Sequence, residues 1–182
     1  MNKVSALEAL ERKDARADLS AIDVDGTFSG YATLFGRRDL SGDVVMPGAF
    51  RAALAAKGAA GIRMLFQHDP AMPIGAWLDI HEDARGLYVK GRLAAEVAKA
   101  REVRALMRAG ALDGLSIGFR TVKAQRDRAG GTRRLIEIDL WEISVVTFPM
   151  LPEARVSAVK GEAGLLAGLR RAARLFAPVP ST

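Results

Sequence analysis

Alternation of apolar and polar positions dominates the chain. Phe28 to Phe35 reads as a strand after the turn signal Asp25-Gly26, with a shorter strand at Ala21 to Asp25 before it. In Ile62 to His68, Ile62, Met64, Phe66 and His68 fall on one face, and Arg63, Leu65 and Gln67 on the other. Ile74 to Ile80 and Gly86 to Leu93 pair as a hairpin around Glu82-Asp83-Ala84-Arg85, with His81 exposed at the turn. Leu115, Ile117, Phe119 and Thr121 alternate with Ser116, Gly118, Arg120 and Val122 in a strand that runs to about Lys123. Its return partner is Leu135 to Phe148, reached through the polar, basic turn Gln125 to Arg134.

Three segments carry the helical period instead. Ala49 to Lys57 follows Pro47 and is closed by Gly58. Glu96 to Ala109 places Val97, Ala100, Val103, Leu106 and Met107 on one side and Lys99, Arg101, Arg104 and Arg108 outside. Glu162 to Phe176 has an apolar side of Leu165, Leu166, Leu169, Ala172, Ala173 and Phe176 opposite Arg170, Arg171 and Arg174, and ends at Pro178 and Pro180. Strands thus outnumber helices along the chain. The boundaries divide the chain into a charged, flexible or weakly helical lead-in at 1–18, a folded domain at 19–160, and a basic amphipathic helix with a proline-containing tail at 161–182.

Composition narrows the chemistry. The 182 residues include no cysteine, so disulfide and thiolate chemistry are excluded. No apolar run reaches the ~20 residues of a membrane-spanning helix, and residues 1–18 lack the apolar stretch of a signal peptide. The net charge of +6 permits an acidic or nucleic-acid partner. The aromatic–basic interleaving of single-strand binders is missing.

Against that background three residues stand out. Ser116 lies in Gly114-Leu115-Ser116-Ile117-Gly118-Phe119, which matches G-x-S-x-G. The α/β-hydrolase elbow needs a strand before the serine, a helix after it and a later histidine. Here the helix precedes, the strand follows, and both histidines, His68 and His81, come first. The motif is therefore a serine in a glycine-loosened strand. Glu142 is the second, because even positions of the return strand (Ile136, Ile138, Leu140, Ser144, Val146) put it on an apolar face, while Trp141, Ile143 and Val145 suggest burial on the other side too. A carboxylate there costs several kcal/mol unless it has a hydrogen-bonded partner. Glu137 and Asp139 are assigned to the opposite, wetter face. His68, at a strand end, is the third. A serine that a base can deprotonate, a histidine with a pKa near neutrality and a carboxylate to orient it are the residue types of a serine hydrolase. The pattern leaves three readings open: a protease, an esterase-type serine hydrolase, or a non-catalytic module that the net charge would suit to nucleic acid.

The sequence also resembles a known family along Phe28 to Val159. Gly30-Tyr31-Ala32 with Phe35, Gly42-Asp43-Val44-Val45 with Pro47-Gly48-Ala49-Phe50, and Gln67-His68-Asp69 with Pro73-Ile74-Gly75 are similar to segments of the tailed-phage prohead serine proteases. So are Gly86-Leu87, Gly110-Ala111-Leu112 with Gly114 to Phe119, and Glu142-Ile143-Ser144-Val145-Val146 followed by Pro149. The resemblance implies a capsid-maturation serine endopeptidase from a phage, prophage or gene transfer agent, with a non-catalytic capsid- or scaffold-binding assembly protein as the alternative. It implies an α+β, mainly β fold, with a closed β-barrel core like the herpesvirus assembly protease (assemblin) and a few surrounding helices. It implies His68 as base and Ser116 as nucleophile. The herpesvirus relatives use a second histidine, and none follows Ser116, so Glu142 is assigned the orienting role from its setting. Backbone N–H groups of Thr147 to Leu151 are the expected oxyanion donors. The implied partners are the major capsid protein and its scaffold region, with portal and self-association as further candidates, and no membrane or specific nucleic acid. The implied location is the host bacterial cytoplasm, inside immature proheads. No metal or cofactor is implied.

Overall fold

The computed structural model describes residues 25–126 and 132–157. The lead-in at 1–18, most of the expected strand at Ala21 to Asp25 and the helix expected at Glu162 to Phe176 lie outside these residues. In chain order the elements are β1 (Thr27–Leu34), β2 (Asp43–Val45), α1 (Arg51–Lys57), β3 (Arg63–Phe66), β4 (Asp69–Glu82), β5 (Gly86–Leu93), α2 (Ala98–Arg108), β6 (Gly114–Arg126), β7 (Arg133–Val146) and β8 (Val156–Ser157). The α+β, mainly β class that the resemblance implies is what the chain adopts.

β7 is the hub of the single sheet. β6 runs antiparallel along one edge, while β2 and β3 lie end to end, both parallel, along the other. From β3 the order continues through β4, β5 and β1 to β8. The sheet curls into a half-barrel until its ends touch. Arg155, just before β8, bridges Gly114 at the head of β6, and Leu115 N–H donates to the Ala154 carbonyl at 2.9 Å. Val156 N–H donates to the Asp113 carbonyl at 2.8 Å. The expected closed barrel is thus realised as a curled sheet stitched at one short seam. A Cβ on Gly30 of β1 would lie 2.3 Å from the Arg155 carbonyl oxygen, so only glycine lets β1 and the seam come this close.

Burial inside the curl drives this arrangement. Phe28, Phe50, Met64, Leu87, Leu115, Leu135 and Ile143 are fully enclosed, and Phe28 meets the Trp77 ring edge-on at 5.7 Å. Truncating such a phenylalanine to alanine removes about 3–5 kcal/mol. α1 is fixed from its entry side by Glu82, whose carboxylate accepts the N–H groups of Gly48 (2.9 Å) and Phe50 (2.7 Å).

Three local expectations are corrected. α2 buries Ala100, Val103 and Met107, but Val97 and Leu106 face solvent, so its apolar stripe is narrower than the sequence suggests. Gln125, Arg126, Arg133 and Arg134, read as turn residues, belong to β6 and β7, because the ladder runs on to the Arg126–Arg133 pair. Arg133 Nε donates to Asp43 Oδ1 at 2.8 Å, which fastens β2 to β7. The third correction lies in β7 and decides the site.

Candidate active site

Strict alternation along β7 would put Leu140, Glu142 and Ser144 on one face. The register shows otherwise: Phe119 pairs with Leu140, Gly118 with Glu142, Ile117 with Ile143 and Ser116 with Ser144. Trp141 is skipped, the one-residue excess of a β-bulge. The bulge reverses parity. Ile138 and Leu140 before it, and Ile143 and Val145 after it, all point into the core. Glu142 and Ser144 turn to the outer face, beside Gly118 and Ser116, and Trp141 itself is 53% exposed rather than buried. Asp139, expected on the face opposite Glu142, pairs with Arg120 and so shares its face. It is already engaged by Lys57 and by Trp141 Nε1 at 2.9 Å.

His68 reaches the same face by a different device. β3 ends at Phe66, two residues short of the expected strand, and Gln67 and His68 follow with φ of 54° and 60°. Left-handed conformations cost an ordinary residue about 1–2 kcal/mol each. Four hydrogen bonds hold them: Gln67 N–H to the Val145 carbonyl (3.1 Å), His68 N–H to Ser144 Oγ (3.1 Å), Gln67 Nε2 to Thr147 Oγ1 (2.7 Å) and Thr147 N–H to Gln67 Oε1 (3.4 Å). The turn swings the imidazole out of line with Met64 and Phe66 and over β7, where it is 42% exposed.

There His68 Nδ1 lies 2.6 Å from Glu142 Oε1. With a carboxylate as partner, the hydrogen bond assigns the proton to Nδ1, so Nε2 carries the free lone pair. The bond to Glu142 raises the His68 pKa, partial burial opposes the rise, and the charge of Glu142 adds to it. The other carboxylate oxygen, Oε2, accepts the Ser144 hydroxyl at 2.6 Å. Both oxygens are therefore held, and the partner that a carboxylate in this setting requires is His68 together with Ser144.

Gly118 makes room for the carboxylate. A Cβ at that position would lie 2.0 Å from Glu142 Oε1. The Glu142–His68 pair therefore rests directly over Gly118, one strand repeat from Ser116 on the same face. Ser116 and Ser144 are directly opposed across the ladder, and their hydroxyls differ in commitment. Ser144 is fully enclosed, donating to Glu142 and accepting from His68. The Ser116 side chain, in a residue 4% exposed, makes no hydrogen bond among the described residues. Of the two hydroxyls, that of Ser144 is committed and that of Ser116 is not.

The three residues singled out from sequence thus lie on one face, where His68 and Glu142 touch and Ser116 stands one strand repeat away. Ser144 and Gly118 were missed as functional positions. Both sit in segments already noted, two residues from Glu142 and Ser116 respectively, but their contacts depend on the bulge. His81 bonds Asp79 Oδ2 at 2.8 Å on β4 and takes no part. Among the described residues no cluster of three or more His, Cys, Asp or Glu side chains is placed to hold a metal ion.

Comparison with known proteins bears on the family and on the fold. Residues 13–165 match the family model for the caudovirus prohead serine protease. The prohead protease of Enterobacteria phage HK97 is 37% identical over 142 residues, 77% of this chain and 63% of that protein. The prohead protease of Escherichia phage T5 is 28% identical over 136 residues, 74% of this chain and 63% of that protein. The chain thus spans just under two thirds of each of these relatives. Among solved structures, the protease of KSHV in complex with a hexapeptide phosphonate inhibitor has a TM-score of 0.52 at 10% identity, covering 82% of this chain and 74% of that one. The bacteriophage T4 capsid assembly protease gp21 has a TM-score of 0.51 at 17% identity, covering 66% of this chain and 80% of that one. These two show a shared fold.

Proposed function

Since the chain belongs to the caudovirus prohead serine protease family, we propose that it is a serine endopeptidase of capsid maturation, with Ser116 as nucleophile, His68 as general base and Glu142 as the orienting carboxylate. Its substrates on this reading are the scaffold or scaffold-like part of the major capsid protein, and the protease itself, inside immature proheads in the host cytoplasm. The observation that carries the reading is the 2.6 Å contact of His68 Nδ1 with Glu142, over Gly118 on the face of an uncommitted Ser116.

The chemistry follows from that arrangement. Nε2 of His68 takes the Ser116 proton as Oγ attacks the scissile carbonyl, and the imidazolium that forms is stabilised by Glu142. The same proton passes to the departing amine, leaving an acyl ester on Ser116. Water, deprotonated by His68, then hydrolyses the ester and regenerates the serine. The negative oxygen of each tetrahedral intermediate needs backbone donors. In the Thr147 to Leu151 loop, the N–H groups of Phe148 and Met150 have no acceptor among the described residues, which favours this loop for the role. Beyond its bridge at Gly114, the outer edge of β6 has no strand partner among the described residues, leaving room for an extended polypeptide beside Ser116.

Co-expression with the capsid protein of the same particle, read on a gel, tests the proposal. Wild type shortens the capsid protein, and Ser116→Ala does not. Equal processing by both would refute it. Hydrolysis of small esters without capsid cleavage would favour the esterase reading.

A further inference from the structure

Thr147 to Leu151 leaves the catalytic face as a loop tied at nearly every residue. The Thr147 hydroxyl accepts from the side chain of Gln67, the neighbour of His68. Pro149 is buried, and its Cδ lies 2.9 Å from where a Cβ on Gly114 would be, on the face of Ser116 and two residues ahead of it. The Met150 carbonyl accepts the Leu40 N–H at 3.0 Å, and Leu151 is buried with Leu34 and Ala154. Phe148 stands furthest into solvent, 89% exposed. Leu40 and Met150, whose backbones are joined, are also exposed, at 73% and 47%. Single apolar residues at a surface need no account, but Met150 is bonded to Leu40 and lies two residues from Phe148, which gathers three of them beside the candidate site.

We propose that Phe148, with Leu40 and Met150, is the substrate-recognition platform of this site, and that it receives an apolar side chain of the polypeptide close to the bond attacked by Ser116. The inference rests on the endopeptidase reading. Phe148 is one residue from the contact with the His68 turn and one residue from the contact with the Ser116 strand. Consecutive Cα atoms are 3.8 Å apart, so the aromatic ring belongs to the immediate surroundings of the scissile bond. Any chain that offers a carbonyl to Ser116 runs past it, which makes the substrate, rather than a second copy of the protein, the occupant that catalysis requires. Anchoring on both sides fixes the backbone that carries the ring, so little backbone entropy is left to lose on binding.

The test uses the full chain and a peptide library made by digesting a bacterial proteome, with cleavage sites read by mass spectrometry. Wild type should select an apolar residue at one position within about four of the cut, the reach of an extended chain at ~3.3 Å per residue. Phe148→Ala and Phe148→Glu should flatten that preference and lower kcat/KM for the best peptide by roughly tenfold or more, the usual scale of discrimination by an apolar pocket. Leu78→Ala, an exposed leucine on β4, should keep it. Cleavage without apolar selectivity, or selectivity that survives Phe148→Ala, would overturn the proposal. So would a dimer that Phe148→Ala dissociates in sedimentation with selectivity intact, which would make the patch a contact between copies. A wild-type protein that labels at Ser116 with a fluorophosphonate but shows no apolar preference sinks this inference alone. One that neither labels nor cuts sinks the endopeptidase reading as well.

Discussion

Gly118→Ala is the smallest change that should disable the site. The added methyl would sit 2.0 Å from Glu142 Oε1, 2.7 Å from its Cδ and 2.9 Å from its Cγ, where ordinary contact begins near 3.4 Å. The carboxylate must retreat by the difference between 3.4 and 2.0 Å, about 1.4 Å. It cannot do so while keeping its 2.6 Å bond to His68 and its 2.6 Å bond from Ser144. A misplacement of ~1 Å in a catalytic group costs on the order of 10²-fold in rate, and losing the orienting carboxylate of a Ser-His-Asp triad costs about 10⁴-fold. Gly118→Ala should therefore lower kcat by about 10²- to 10⁴-fold. Stability should fall by no more than the ~1–3 kcal/mol of an overpacked position, because the displaced carboxylate can swing toward water. The assay is kcat on a capsid-derived peptide, with melting by circular dichroism, run also in a Glu142→Ala background. If the clash with Glu142 is the cause, Gly118→Ala adds little once that side chain is gone. Wild-type turnover in Gly118→Ala, or an equal loss in the Glu142→Ala background, would refute the reasoning.

The pH dependence has a definite sign: Glu142 raises the His68 pKa, and the base must be neutral to act, so kcat/KM should climb through an inflection above the ordinary histidine value of about 6.5. Imidazole proton shifts followed by NMR should report the same inflection, and in Glu142→Gln it should move down; an inflection at or below the ordinary value in wild type would count against the pairing. Stability runs the other way, because a raised folded-state pKa contributes fully below the unfolded value and is lost as pH rises through the folded one; comparing melting temperatures of wild type and His68→Gln across that window checks it. Ser144→Ala removes a hydrogen bond to a charged group, about 1.5–3 kcal/mol, and should lower kcat by 10- to 100-fold with KM little changed; stopped kinetics of that kind in KM alone would mean that Ser144 serves binding instead. Gly30→Ala drives a methyl to within 2.3 Å of the Arg155 carbonyl and should open the seam, lowering the melting temperature at the expense of ~1–3 kcal/mol or more, whereas an unchanged melt would show that the seam is slack.

Alternation carried the strands well because most have one enclosed and one wetter face, and the chemistry of the site was legible as residue types: a serine among glycines, a histidine beside a strand and a carboxylate in an apolar run. Two backbone devices were not legible. The bulge at Trp141 changes which side chains share a face, and nothing in the local residue pattern marks it, since Leu140, Trp141 and Ile143 suit either parity. Glu142 thus needed a partner as reasoned, but on the outer face and not among Ile138 and Leu140. The left-handed pair at Gln67 and His68 was equally hidden, because neither residue is a glycine and the conformation is held by Val145, Ser144 and Thr147, some 80 residues away. Gly118 and Ser144 went unrecognised for the same reason: their roles are contacts across a register that only the folded ladder defines.

Fluorophosphonate labelling followed by peptide mapping tests the Ser116–His68–Glu142 assignment most directly. A serine activated by a neighbouring base reacts, and one committed to a carboxylate does not. The site described here predicts a single adduct on Ser116 in the wild-type chain, none in Ser116→Ala or His68→Ala, and slow labelling in Glu142→Gln. An adduct on Ser144, or labelling of Ser116 that proceeds at the same rate without His68, would contradict it.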